Sequence, residues 1–268
     1  MKPKKIKSFY LQKHTRNRFT AAGSISYIAI ILLTIFLSES ISAQIIRKSE
    51  VNFKASDGLI VTANLYQSRK SNPYLIFFHQ ELSCKGEFDP IVSRFIKMNY
   101  NCMAVDLRSG DDLGFEKNKT ATRAKEDGYT SSVNQASKDM EAAIDFMHQF
   151  SKKDVCILGS ASSATLALIV GRNNPYVKAI VALSPGEYFA PENELKNILD
   201  NYPKPVYVGC TAEEYSYLSG IEGFPGPGNV LFKPSSGEGL RGTMALLKDN
   251  PTRDQYWLSL LLFFKSIQ

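Results

Sequence analysis

The sequence predicts an α/β fold, a mostly parallel sheet covered by helices on both faces, and three observations carry that expectation. Tyr74 to Phe78, Val155 to Leu158 and Ala179 to Leu183 are unbroken apolar runs of strand length, the pattern of strands buried on both faces. Val133, Ala136, Met140, Ala143, Ile144 and Met147 fall on one helical stripe between two of those runs. Strand and helix signals then alternate along the chain, as parallel neighbours joined by crossovers require.

Each element has its own signal. Val51 to Tyr66 reads as two alternating strands around the Ser56-Asp57-Gly58 turn. The Tyr74 to Phe78 run ends at His79-Gln80-Glu81-Leu82-Ser83, and a helix is expected from Phe88 to Met98. Cys102 to Asp106 is the next buried strand, closing in Leu107-Arg108-Ser109-Gly110. Residues 111–132 are polar and lack periodicity, so they read as a surface excursion. After the helical stripe come the Val155 strand, an apolar helix over Thr165 to Val170, and the Ala179 strand with its Ser184-Pro185-Gly186-Glu187-Tyr188-Phe189 exit. Pro205 to Cys210, Leu231-Phe232 and a closing helix over Tyr256 to Phe264 complete the set. No internal repeat and no second domain interrupt it, so residues 44–268 read as a single domain.

Charge and cysteine placement narrow the function classes. Of the 32 basic and 26 acidic residues, seven basic ones but only Glu39 among the acids lie in 1–43, so 44–268 carries 25 of each. A nucleic-acid interface loses its electrostatic argument there. Residues 1–43 have the plan of an export signal: a basic start, an apolar segment from Ile25 to Leu37, and Ala43 before the cut. The other reading is a retained signal anchor, since Phe19 to Ser38 is uncharged and about long enough to span a bilayer. Either way the folded part is expected outside the cytoplasm, periplasmic or secreted, with membrane contact only if the apolar segment is kept. Cys102 and Cys156 fall in strands that the expected order separates by another strand, too far apart for a bridge. Cys84 and Cys210 sit in loops, and their pairing stays open.

Between the Val155 strand and its helix the chain reads Gly159-Ser160-Ala161-Ser162-Ser163, a cluster of tiny residues at a strand-to-helix turn. With the leading hairpin, the His79-Gln80 loop and its Lys85-Gly86-Glu87-Phe88, the Asp106 to Gly110 strand end and the Ser184 to Phe189 segment, this resembles α/β-hydrolase-fold proteins of the dienelactone hydrolase-like group. The resemblance covers roughly residues 50–265. It implies a three-layer sandwich on a twisted eight-stranded sheet, with the site on loops at one end of the strands. Active members hydrolyse esters or related acyl bonds with a serine in a G-x-S-x-G turn, an acid and a histidine.

Carried over by position, the resemblance puts Ala161 in the nucleophile slot, Glu213 in the acid slot and Glu238 in the histidine slot. Backbone N–H groups near Gln80 and at Ser162 become the oxyanion donors. Independently of any alignment, the chain has three histidines, His14, His79 and His148, and none follows the turn. The expectation is therefore a catalytically degenerate member, a pseudoenzyme, with a binding or accessory role toward an unidentified small molecule or protein. The rival is an active hydrolase with a rearranged site using Ser160 or Ser162. If Ser162 is the nucleophile its flanks are Ser160 and Ala164, both small, but a carboxylate base such as Glu238 is poorly matched to a hydroxyl. Asp106 with Arg108 reads as a strand-end ion pair. Glu187, Glu213, Glu214 and Glu238 read as solvated loop charges or partners of Arg108 or Arg241. Their spacing matches no metal motif, and neither a metal nor another cofactor is expected.

Overall fold

A computed structural model of the protein describes residues 45–189 and 194–268. The expected leader over 1–43 lies outside the described residues. Eight strands form one sheet in the order β1-β2-β4-β3-β5-β6-β7-β8. They are β1 (Arg47–Lys54), β2 (Ile60–Gln67), β3 (Tyr74–Phe78), β4 (Asn101–Val105), β5 (Val155–Ser160), β6 (Val177–Leu183), β7 (Val206–Gly209) and β8 (Val230–Phe232). β1 pairs with β2, and β2 with β4, antiparallel; the remaining pairings are parallel. The helices are α1 (Asp89–Lys97), α2 (Lys119–Glu126), α3 (Ser137–Ser151), α4 (Ser162–Asn173), α5 (Glu194–Leu199), α6 (Ala212–Leu218) and α7 (Arg253–Ser266).

The two-residue period of the strands divides the core into two. Ile76, Phe78, Met103, Val105 and Ile157 face the layer holding Met140, Ile144 and Leu168. Leu75, Phe77, Ala104 and Leu158 face Phe88, Phe95, Trp257 and Phe264. Phe77 stacks on Phe88 with ring centroids 4.8 Å apart, and α1 adds Ile91, Val92, Phe95 and Ile96 to the same layer. Each such side chain contributes about 1.5–3 kcal/mol on burial. Met140, Ala143, Ile144 and Met147 form the buried stripe of α3, which ends at Lys152 in the left-handed conformation, φ 57°.

The surface excursion over 111–132 needs correction, since α2 forms within it. Asn118 caps α2 by accepting from Ala121 N–H, and only Thr120 and Ala124 are buried. Two buried positions in eight residues are too few to show as periodicity. The Asp106–Arg108 pair is also corrected. Asp106 accepts from Lys85 Nζ at 2.8 Å and from the Lys85 and Lys119 amides at 3.0 Å each. Arg108 instead meets Asp139 at 2.7 Å and Asp57 at 2.5 Å. All four cysteines are buried free thiols, with β3 standing between Cys102 on β4 and Cys156 on β5. Among the described residues no helix is long and apolar enough to cross a membrane.

Candidate functional site

The strand order reverses direction between β3 and β5, and in open parallel sheets the crevice beyond the carboxyl ends of such strands is where ligands sit. Gln80 follows β3 there, and Ala161 follows β5. Ala161 holds φ 51° and ψ −117°, a conformation that a residue with a Cβ rarely adopts and that costs about 1–3 kcal/mol. Its N–H donates to Leu183 O at 2.9 Å, and its carbonyl accepts from Ala164 N–H at 2.9 Å, which starts α4. Gly159 makes the turn possible: a Cβ there would lie 2.2 Å from Ser163 O. The turn therefore has the sharp strand-to-helix form that lifts a side chain above a sheet, and the side chain it lifts is a methyl group.

The neighbouring hydroxyls are enclosed. Ser160, the last residue of β5, is fully buried and its Oγ accepts from Thr243 N–H at 3.0 Å. Ser162 and Ser163, the first residues of α4, are buried with hydroxyls that find no hydrogen-bond partner among the described residues. Against the turn packs the Gly242–Leu246 segment, which follows β8. A Cβ on Gly242 would stand 2.6 Å from Ser160 Oγ and 3.7 Å from Ala161 N, so only glycine permits the approach. Gly242 N–H is in turn held by Ser184 Oγ at 2.9 Å.

The amide of Gln80 is already engaged. It donates to Glu87 Oε2 at 3.1 Å, and Glu87 Oε1 accepts from the Thr243 hydroxyl at 2.5 Å. His79 is fully buried and serves the backbone on both sides: Nε2 accepts from Leu107 N–H at 2.9 Å, and Nδ1 donates to Gln80 O at 2.7 Å. Burial pushes its pKa below the usual imidazole value, so it stays neutral in that one tautomer. His148 lies in the last turn of α3, at the opposite end of the sheet, stacked on Tyr176 at 3.8 Å.

Glu213 and Glu238 form a second group at the start of α6. Glu238 Oε1 accepts from Glu213 N–H at 2.8 Å, and Glu238 O accepts from Ala212 N–H at 2.9 Å. The Glu238 carboxylate thus caps the positive end of a helix. Thr211 and Glu214 complete the same end as a capping box, and Arg241 Nε meets Glu214 at 2.8 Å. Glu187, on the β6 exit, accepts from Leu195 N–H and from the Tyr217 hydroxyl. Among the described residues no set of three or more His, Cys, Asp or Glu converges to hold a metal ion. The thiols of Cys156 and Cys210 are pushed up to about 12 by burial, the state of unreactive interior cysteines.

The structure brings Ala161, Ser160, Ser162 and Gln80 together and joins Glu213 to Glu238, with residues 238–243 running from one group to the other. Glu87 and Thr243 escaped the sequence reading. Glu87 stood inside the Lys85-Gly86-Glu87-Phe88 loop signature, but nothing local linked it to a residue 156 positions downstream.

No family model and no curated protein matches the sequence. Solved structures do match. An esterase of Pyrococcus furiosus superposes with a TM-score of 0.62 at 14% identity, over 82% of this chain and 91% of that one. The dienelactone hydrolase of Anabaena variabilis gives 0.58 at 12% identity, over 82% and 98%. An α/β hydrolase from a Penicillium species gives 0.61 at 14%, over 82% and 98%. At such identities the likeness is one of architecture, and it establishes that this chain has the α/β-hydrolase fold.

Proposed function

We propose that the protein is an exported, non-hydrolytic α/β-hydrolase-fold protein with a binding or accessory role. The observation that carries this reading is Ala161, a methyl group at the strained turn where acyl transfer needs a nucleophile. Three further facts support it. The chain has no histidine beyond His148. The Glu238 carboxylate is bound to the start of α6. The Gln80 amide, which an oxyanion would require, is bound to Glu87. Ser160 and Ser162 offer hydroxyls without a matched base, and a hydroxyl with a pKa far above neutrality needs one to attack a carbonyl. Export rests on the plan of residues 1–43.

The test is treatment of the full purified protein with a fluorophosphonate, alongside turnover of p-nitrophenyl acetate. Labelling below stoichiometry and hydrolysis no faster than buffer are expected. Stoichiometric modification of Ser160 or Ser162, with turnover lost on Ser→Ala at the labelled position, overturns the reading.

A further inference from the structure

Glu87 sits half-buried in the Lys85–Phe88 turn ahead of α1, and both of its carboxylate oxygens are held. One accepts the Gln80 amide at 3.1 Å and the other the Thr243 hydroxyl at 2.5 Å. The two donors come from different loops, one after β3 and one after β8, so the arrangement is a tertiary clamp and not a local turn. The same Thr243 ties itself to the β5–α4 turn through Ser160 Oγ. The Gly242 Cβ position lies within 3.8 Å of both Ala161 N and Gln80 Oε1.

We propose that this cluster is a carboxylate-binding site which the chain fills with its own Glu87 side chain, and which takes a small monocarboxylate once that side chain is cut back. The proposal deepens the functional reading above and rests on its assignment of the Gln80 amide as an oxyanion donor. The physics favours the internal occupant. A carboxylate forms charge-assisted hydrogen bonds, stronger than those of a neutral ester carbonyl. A side chain held in place by its own turn also has an effective concentration well above that of any free ligand. A neutral acyl ligand therefore does not displace it, and an anion competes only when the tether is removed.

Thermal unfolding of the full chain in sodium acetate, against matched sodium chloride, tests this. With Glu87→Ala, acetate at about five times its dissociation constant is expected to raise the midpoint by about 2–4 °C over chloride. The wild type and Glu87→Gln, whose amide still fills the space, are expected to show no such excess. Adding Thr243→Val to Glu87→Ala is expected to abolish it. An acetate response in Glu87→Ala no larger than in the wild type overturns the proposal. If Glu87→Ala does not fold, hydrogen exchange at the Gln80 amide of the wild type decides: slowed exchange supports the clamp, and exchange at the rate of an open loop refutes it. Ester turnover by the wild type would sink the non-hydrolytic reading while leaving the acetate result standing, so the two failures are separable.

Discussion

Two polar clusters occupy the carboxyl end of the sheet, and they are built on opposite terms. At the end of β4 the buried charges are matched: Arg108 has Asp139 and Asp57, and Lys85 has Asp106 and Glu116. At the β5–α4 turn the Ser162 and Ser163 hydroxyls are buried with no partner among the described residues, and the backbone of Ala161 is held in an unfavourable region. Each unpartnered hydroxyl costs about 1–3 kcal/mol and the backbone a comparable amount. The first cluster holds loops in place. The second carries backbone strain at Ala161, held in place by the hydrogen bonds of its N–H and carbonyl.

The largest expected effect breaks the matched cluster. Arg108→Met leaves Asp139 buried without its guanidinium and is expected to lose about 3–5 kcal/mol at neutral pH, read by urea unfolding. Burial already pushes the Asp139 carboxyl above its usual range, against the pull of Arg108. Without Arg108 the folded-state value rises further. A raised carboxyl costs stability above its unfolded value and recovers it as pH falls, so the variant's deficit is expected to shrink under acid conditions. Asp57 moves the other way in the wild type: hydrogen bonding from Arg108 lowers its carboxyl to about 2, so its contribution is present above the unfolded value near 3.8 and fades as pH drops toward 2. A deficit constant with pH would show that Asp139 is not the group left stranded.

The next effect sharpens the contrast from the other side. Ala161→Ser with Glu238→His is expected to hydrolyse p-nitrophenyl acetate slowly at best, because Glu87 still holds the Gln80 amide. Adding Glu87→Ala returns that donor and is expected to raise kcat by about 10²–10³-fold. Equal rates for the double and triple variants would detach Glu87 from the donor site.

The smallest effects probe the turn itself. Gly159→Ala forces a Cβ onto Ser163 O and is expected to cost about 1–3 kcal/mol. Ala161→Gly relieves the positive φ, partly offset by the greater freedom of glycine in the unfolded chain, for a net gain of about 1 kcal/mol or less. Chemical denaturation that shows Ala161→Gly as a clear loss would mean the turn is not strained.

Much of the architecture was legible before any coordinate. Tyr74 to Phe78 and Val155 to Leu158 are central strands, and the stripe from Val133 to Met147 continues from a short 3-10 turn into α3. The misses are short elements. The helices α2, α5 and α6 have eight, six and seven residues, too few turns for an apolar face to repeat. Asp106 and Arg108 are near neighbours in sequence at one strand end, which suggests a pair, while their partners Lys85, Asp57 and Asp139 arrive on other loops and helices. The site was legible only as far as residue identity reaches.

The sheet, the tight turn around Gly159 and Ala161, the methyl group at its apex and the lack of an imidazole after His148 all follow from the order of residues along the chain. Those are matters of composition and of periods of two or three to four residues, which local chain geometry enforces. That Gln80 N–H meets Glu87, that Thr243 closes the pair and that Glu238 caps α6 are set by packing in three dimensions. A hydrogen bond forms or fails within a few tenths of an ångström. Which acceptor lies that close to a given donor depends on how three loops from distant parts of the chain pack together at the end of the sheet.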